Sequence, residues 1–424
     1  MVPSHARATT LLLLAVSVAC GPRRGGATTT PSDADDRGGG ATVDATDAPR
    51  DLAGALREAE DALQQERAAE AVALFGRVVG EAAATQEQRR RALLGLAQAH
   101  EDLRDCAAAV RTWDAYLDRH GRAEDAAIAY ARRGACEAEL GRWEASARSF
   151  EAVAVAPGQL PSTRIEALAR QGYALFNLDR FDDADRVLTH ADEVFVQAER
   201  DASERFSTYY FVGMARFYRA AILHRRFREV TIELPEKVMA ARFKQKLELL
   251  VAAQDAYNAT IKAKHMFWVS AAGFQLGTLF SEFYDALMYA PVPAWLDARH
   301  KQIYYDELKK QIRPIVDKAI WVFEKNLETA RRLGYESEFT AQTEAKLSHL
   351  QAALHGDDAD LGKPLARLAG EPATAGPEAP HGYLGAPGRG RAGSARRGPQ
   401  ALRAADDPAF AVTPCEHAYP RRCP

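Results

Sequence analysis

The feature that most restricts this 424-residue chain is a recurrence of small residues every 37 to 38 positions. Ala59, Ala97, Gly134 and Gly172 fall in register, with spacings of 38, 37 and 38. The stretch around Gly134, GACEAELGRWEASARSFEAVAVAP, spells out one unit. Leu140-Gly141 interrupts a first helix, and Trp143, Ser146, Phe150 and Val153 follow at i, i+3, i+7 and i+10 as the apolar stripe of a second. Such a hairpin cannot bury its apolar face alone and must stack on its neighbours, which is the logic of a solenoid. Ala68, Cys106, Trp143 and Phe181 align where each second helix begins. Three residues on stand Ala71, Ala109, Ser146 and Ala184, all small, and four further on Phe75, Trp113, Phe150 and Leu188, all large. Large against small lets successive helices approach closely.

The pattern resembles the tetratricopeptide repeat, which carries small residues at the eighth and twentieth places of each unit and a bulky one at the twenty-fourth. These units exceed that family's usual length of about 34, and only Pro157 stands near its proline stop. The resemblance implies an all-α solenoid, with about four hairpins over 51–200. It also implies a concave groove, lined by the first helices, that holds a peptide or a partner helix. Carried over place by place, that groove takes Arg91, Gln98 and Asp102 from the second unit, Glu139 from the third, and Tyr173, Phe176 and Asn177 from the fourth. Asp102, Glu139 and Asn177 share the thirteenth place and form a ladder able to exchange hydrogen bonds with an extended backbone. The competing readings are a generic helical bundle and a ladder that faces plain solvent.

After residue 200 the strict period fades while helical patterning continues to 355. Helices are expected over 203–227, 240–264, 267–289 and 336–354, and a long helix or a pair divided at Pro314 over 297–333. The run His224-Arg225-Arg226-Phe227-Arg228 reads as cations at a helix C-terminus, with an anion site as the competitor. Gly273 and Gly277 lie four apart in the most apolar helix, where Gln275, Glu282 and Asp285 argue against a membrane and for close packing inside the solenoid. The ordered series Trp268, Gly273, Gly277, Phe283, Leu287, Pro291-Val292-Pro293, Tyr304, Leu308, Pro314, Ala319, Asn326, Ala330 and Gly334 is similar to the C-terminal portion of tetratricopeptide proteins from myxobacteria, some of them parts of an adventurous gliding machinery.

Before the repeats, Arg7 and the apolar run Leu11 to Ala19 precede Cys20. The run is too short to cross a bilayer core of about 30 Å and suits a secretory leader. The ending Ser-Val-Ala-Cys-Gly resembles a bacterial lipoprotein signal, with Cys20 as the lipidated residue; an ordinary cut near Ala19 is the alternative. The expected order is a signal peptide over 1–20, a Gly/Thr/Asp/Pro-rich tether over 21–50 and a Gly/Pro/Arg-rich disordered tail over 356–424. The expected location is the periplasmic face of a Gram-negative outer membrane, with the lipid as sole membrane contact. In that oxidising setting Cys415 and Cys423 can close a small loop. Cys106 and Cys136, on adjacent units, are either neighbours or separately buried thiols.

The formal net charge of -3 argues against a nucleic-acid partner. No paired carboxylates on an apolar wall, nucleophile elbow, H-E-x-x-H or phosphate loop occurs in a folded context. Cys415, His417 and Cys423 lack a fourth zinc ligand, so neither metal nor cofactor is expected. The chain therefore reads as a non-catalytic scaffold or assembly factor of an envelope complex, with a gliding machine as the specific expectation. The alternatives are an outer-membrane assembly lipoprotein that binds extended client segments, and a cell-wall enzyme activator whose arginine-rich tail touches an anionic polymer.

Overall fold

The computed structural model describes residues 51–355 apart from Glu124. The expectations for the leader, Cys20, the tether, the tail and the Cys415–Cys423 loop lie outside these residues. Among the described residues every regular element is an α-helix. Four hairpins come first: α1 (Leu52–Gln64) with α2 (Ala68–Gly80), α3 (Gln86–Asp102) with α4 (Cys106–His120), α5 (Ala126–Glu139) with α6 (Trp143–Val155), and α7 (Pro161–Asn177) with α8 (Phe181–Asp201). Two longer pairs continue the array, α9 (Tyr210–Glu229) with α10 (Glu236–Ile261) and α11 (Met266–Met288) with α12 (Ala298–Leu333), and α13 (Glu338–His355) packs on α12 and α11. Each helix touches its successor, and α1 touches α3, α7 touches α9, α9 touches α11 and α11 touches α13. Contacts between hairpins that skip a helix run odd to odd, so the odd-numbered helices form the inner layer of a tetratricopeptide-like solenoid.

The period is written into the backbone turns. Glu66, Arg104, Gly141 and Asp179 adopt φ of 61°, 60°, 68° and 56°, one in each hairpin turn. Each turn is closed by the same two bonds. In the third hairpin these are Gly141 N–H to Ala138 O at 2.9 Å and Arg142 N–H to Glu137 O at 2.8 Å; in the second, Arg104 N–H to Glu101 O and Asp105 N–H to His100 O, both at 2.9 Å. A left-handed residue lets two orphan carbonyls at the helix end find donors while the chain reverses. Only the third turn uses glycine, so the breaker seen at Leu140-Gly141 had no counterpart by residue type in the other three.

Close approach comes from the glycines of the odd helices and the small residues of the even ones. A Cβ added at Gly172 would lie 2.4 Å from Leu188 Cδ2, and one at Gly134 would lie 2.9 Å from Ser149 Cβ. Ala71, Ala109, Ser146 and Ala184 are wholly buried, and Ser146 Oγ–H donates to Gly134 O at 2.8 Å across the third hairpin. The device continues where the sequence period does not. Gly277 receives Phe323 and Gly273 receives Asn326, whose amide donates to Ser270 O at 3.1 Å and Thr343 Oγ1 at 3.2 Å. The four-residue glycine spacing is therefore a crossing of α11 with α12.

The structure alters one expected boundary and decides another. Residues 203–209 are not helical, because Ala202 turns left-handed and Glu204 crosses to cap α7, accepting from Ser162 N–H at 2.8 Å and Ser162 Oγ–H at 2.6 Å. Pro314 does not divide α12; it lies on the exposed face of one continuous helix, where water can satisfy the carbonyl left without a donor. No residue of α12 before Ile312 is buried, and its entry loop leaves Trp295 76% exposed.

The turns make opposite stability predictions. A Cβ at Gly141 meets nothing within 4 Å, so Gly141→Ala tests the backbone alone. It should lower stability by about 1 kcal/mol, while Arg104→Gly should be neutral or stabilising. Urea melts of the two variants check the sign.

Candidate functional site

The ladder positions are the last residues of three odd helices: Asp102 ends α3, Glu139 ends α5 and Asn177 ends α7. Asp102 and Glu139 are exposed. Carbonyls without helical donors gather at a helix C-terminus and give it a partial negative charge, so an acid there is held against the local field. Burial raises the Asp102 carboxyl despite Arg132 nearby, and the Glu66 charge adds to the rise. Glu139 Oε2 accepts from the Cys106 thiol at 3.0 Å. Asn177 is half-buried, and its amide donates to Tyr173 O at 2.8 Å on its own helix.

The other expected groove residues divide in the same way. Arg91 is exposed and donates to both carboxylate oxygens of Glu60 on α1, at 2.6 and 2.8 Å, tying two inner helices at the surface. Gln98 is half-buried. Tyr173 and Phe176 are half-buried within an aromatic cluster: Tyr173 meets Trp143 at 5.5 Å and Tyr218 at 4.8 Å, and Phe176 meets Phe181 at 5.5 Å and Tyr218 at 5.1 Å between centroids. Tyr218 belongs to α9 and is fully buried, so the inner face of the fourth hairpin is partly roofed by the next helix.

Beneath the acidic row lies a buried polar centre that the register pointed to only in part. Glu101 is 9% exposed; it pairs with Arg132 of α5 and accepts from Trp113 Nε1–H at 2.7 Å. Burial pushes the Glu101 carboxyl up, and Arg132 and Trp113 pull it back. This centre fixes α3, α4 and α5 in one arrangement and positions Asp102, the next residue. Glu60 occupies the same place in its unit as Gln98, so the register alone could have found it.

Two more polar sites carry no sequence signature. In the first, α9, α10 and α11 share a relay: Tyr257 O–H donates to His224 Nδ1 at 3.1 Å, His224 Nε2–H donates to Glu282 at 3.1 Å, and Arg228 holds Glu282 through two contacts at 2.8 Å. His224 is 2% exposed, and burial holds its imidazole below the ordinary range. Glu282 lies well below the usual carboxylate range, because its two cationic and imidazole partners outweigh burial. The basic run at 224–228 is therefore spent inside the protein or on its neighbours, Arg226 on Asp182 and Arg228 on Glu282, and does not form a free anion site. In the second, a cleft of about 470 Å³ between α6, α7 and α8 is walled by Leu168 and Val187 and holds Arg164 and His190. Arg164 Nε there is buried with no hydrogen-bond partner in the structure. Among the described residues no group of three or more His, Cys, Asp or Glu could hold a metal, and no helix is long and apolar enough to cross a membrane.

No protein-family profile matches this chain, and no curated protein matches it. Among solved structures, a TPR repeats protein from Bacteroides fragilis aligns over 62% of this chain and 98% of its own, at 12% identity and a TM-score of 0.30. That likeness is too distant to carry an argument, and the assignment of fold rests on the hairpins themselves.

The buried centres yield two expectations. Trp113→Ala removes a side chain only 2% exposed and strips Glu101 of a donor, so it should cost about 3 to 5 kcal/mol; Trp113→Phe, which removes chiefly the hydrogen bond, should cost about 1 to 3. Chemical denaturation of both variants checks the ranking. Unfolded His224 takes up a proton near its ordinary pKa of about 6.5, while the folded imidazole resists, so acidification favours the unfolded chain. Relative to His224→Gln, the unaltered protein should lose melting temperature as pH falls from 7 to 5, a slope that scanning calorimetry measures.

Proposed function

We propose that the inner layer of this solenoid binds an extended or helical segment of a partner protein that presents basic groups or backbone N–H donors, and that the chain works as a non-catalytic scaffold. The observation that carries this reading is the pair of exposed acids, Asp102 and Glu139, at the C-terminal ends of α3 and α5, with Glu101 buried beneath them. An acid at such an end gives up roughly 0.3 to 1 kcal/mol against the helix dipole, a penalty that an arriving cation or N–H relieves. Tyr173 and Phe176 extend the row with half-exposed aromatic surface.

We further propose that the scaffold belongs to a Gram-negative envelope and faces the periplasm, held to the outer membrane by an acyl group on Cys20. Support comes from the apolar run Leu11 to Ala19 followed by Cys20 and a tether without apolar clusters. A gliding machine is the specific assignment, supported by the resemblance of the region from about 205 to 350. The second reading is an outer-membrane assembly lipoprotein that holds unfolded clients, supported by the same ladder; an activator of a cell-wall enzyme is the third.

Crosslinking pull-down from native envelopes, comparing the unaltered protein with Asp102→Lys/Glu139→Lys, tests the groove and names the partner class. Both positions are exposed, so the charge reversal should leave the fold intact. The expected result is recovery of motility or envelope-machine subunits, reduced about tenfold or more by the reversal. Equal recovery by both would overturn the groove, and recovery of nascent outer-membrane proteins would replace the first reading with the second.

A further inference from the structure

Cys106 is the first residue of α4 and Cys136 lies in the last turns of α5, so the two belong to different hairpins 30 residues apart. Their sulfurs stand 2.9 Å from each other. Both side chains are buried, Cys106 at 7% and Cys136 at 1% exposure, and both are free thiols in the structure. A disulfide needs its sulfurs at about 2.05 Å. The remaining gap is less than the width of an atom, and each cysteine sits on a helix already held in place by the Glu101–Arg132–Trp113 centre.

We propose that Cys106 and Cys136 form an intramolecular disulfide that staples the second hairpin to the third. The oxidant is a small disulfide of the glutathione type. One protein thiolate attacks it and forms a mixed disulfide with release of one oxidant thiol; the second protein sulfur then displaces the other. One protein S–S bond forms, two protein S–H bonds and the oxidant's S–S bond break, and two electrons and two protons pass to the oxidant, which leaves as two thiols. The 30-residue separation places the bond where closing a loop restricts the unfolded chain substantially.

The surroundings also set when the bond forms. Burial pushes the Cys106 thiol up to about 11 and the Cys136 thiol further in the same direction. Reactive thiolate is therefore scarce once the hairpins have packed. The bond closes while they assemble and is afterwards shielded from reductants. Oxidation has a second effect, which rests on the acidic row proposed above: the Cys106 thiol is the donor to Glu139 Oε2, and a disulfide carries no proton to give. Glu139 then loses a partner and presents its charge at the end of α5. The pairing itself stands on sulfur geometry alone, so its failure and the failure of the partner row are separable.

The test refolds the full, reduced chain in a mixture of oxidised and reduced glutathione, blocks free thiols with iodoacetamide under denaturing conditions and maps the non-reducing digest. The expected result is one peptide pair joining Cys106 to Cys136, with those two residues protected from alkylation. The oxidised protein should melt about 5 to 10 °C above the same protein kept in reductant, and Cys136→Ser should show no oxidant-dependent rise. Full alkylation of both residues after refolding overturns the proposal, as does a bond from either to Cys20, Cys415 or Cys423. A Cys106–Cys136 bond without the rise in melting temperature overturns its role as a staple. The mapping uses the unaltered chain and depends on no variant folding.

Discussion

What the rest of the array depends on is the meeting of a bulky side chain with a residue that has none. Phe75 rests on Gly95, Phe150 on Gly134, Leu188 on Gly172, Trp268 on Gly213 and Phe323 on Gly277. In every pair the glycine belongs to an odd-numbered helix. Removing the side chain there lets the backbones approach until a phenyl ring or an isobutyl group fills the gap completely. Five such contacts are spread from α2 to α12, and each sets the distance between the two helices it joins. Because each step touches only its neighbours, the geometry of the whole is the product of these local fits.

Charge does the complementary task. Where repeats keep strict register, shape locates most helices, and the Glu101–Arg132–Trp113 centre is the polar tie among α3, α4 and α5. Where the register loosens, after α8, the Tyr257–His224–Glu282–Arg228 relay and Lys246, which donates to Phe227 O at 2.7 Å and Val230 O at 2.9 Å, pin α9, α10 and α11 together. A hydrogen-bonded network of this kind tolerates little displacement, since any partner left unmatched in the interior is costly. It therefore supplies the uniqueness that a less regular apolar pattern does not.

The sequence made some of this visible and hid the rest for identifiable reasons. The small and large positions from Ala59 to Leu188 announce themselves because packing admits few residue types there. The left-handed turns do not, since Glu66, Arg104 and Asp179 occupy places where glycine would have been the signal. Register alone gives Asp102, Glu139 and Asn177 one shared place in their units, but no spacing encodes the bond from the Asn177 amide to Tyr173 O. The aromatic cluster around Tyr173 and Phe176 was equally hidden, because Tyr218 comes from the region where the period has faded. The relay joins residues 33 to 58 positions apart on three helices, where the repeat register that relates earlier positions has faded. Pro314, which left one long helix or a divided pair open, is tolerated inside one helix because its face of α12 is wet.

The apolar interior is not shared equally along the solenoid. One small core serves α1, α2 and α3, and a second serves α3, α4 and α5, whereas a single large core extends from Ala147 in α6 to Leu350 in α13. Mechanically this makes the N-terminal hairpins the compliant end and the remainder a stiff block. Tension entering at residue 51 would be borne first by the lightly cored hairpins, which can yield one at a time and re-form when the load drops. The C-terminal block, its helices joined through one interior, would pass the same load on with little change of shape.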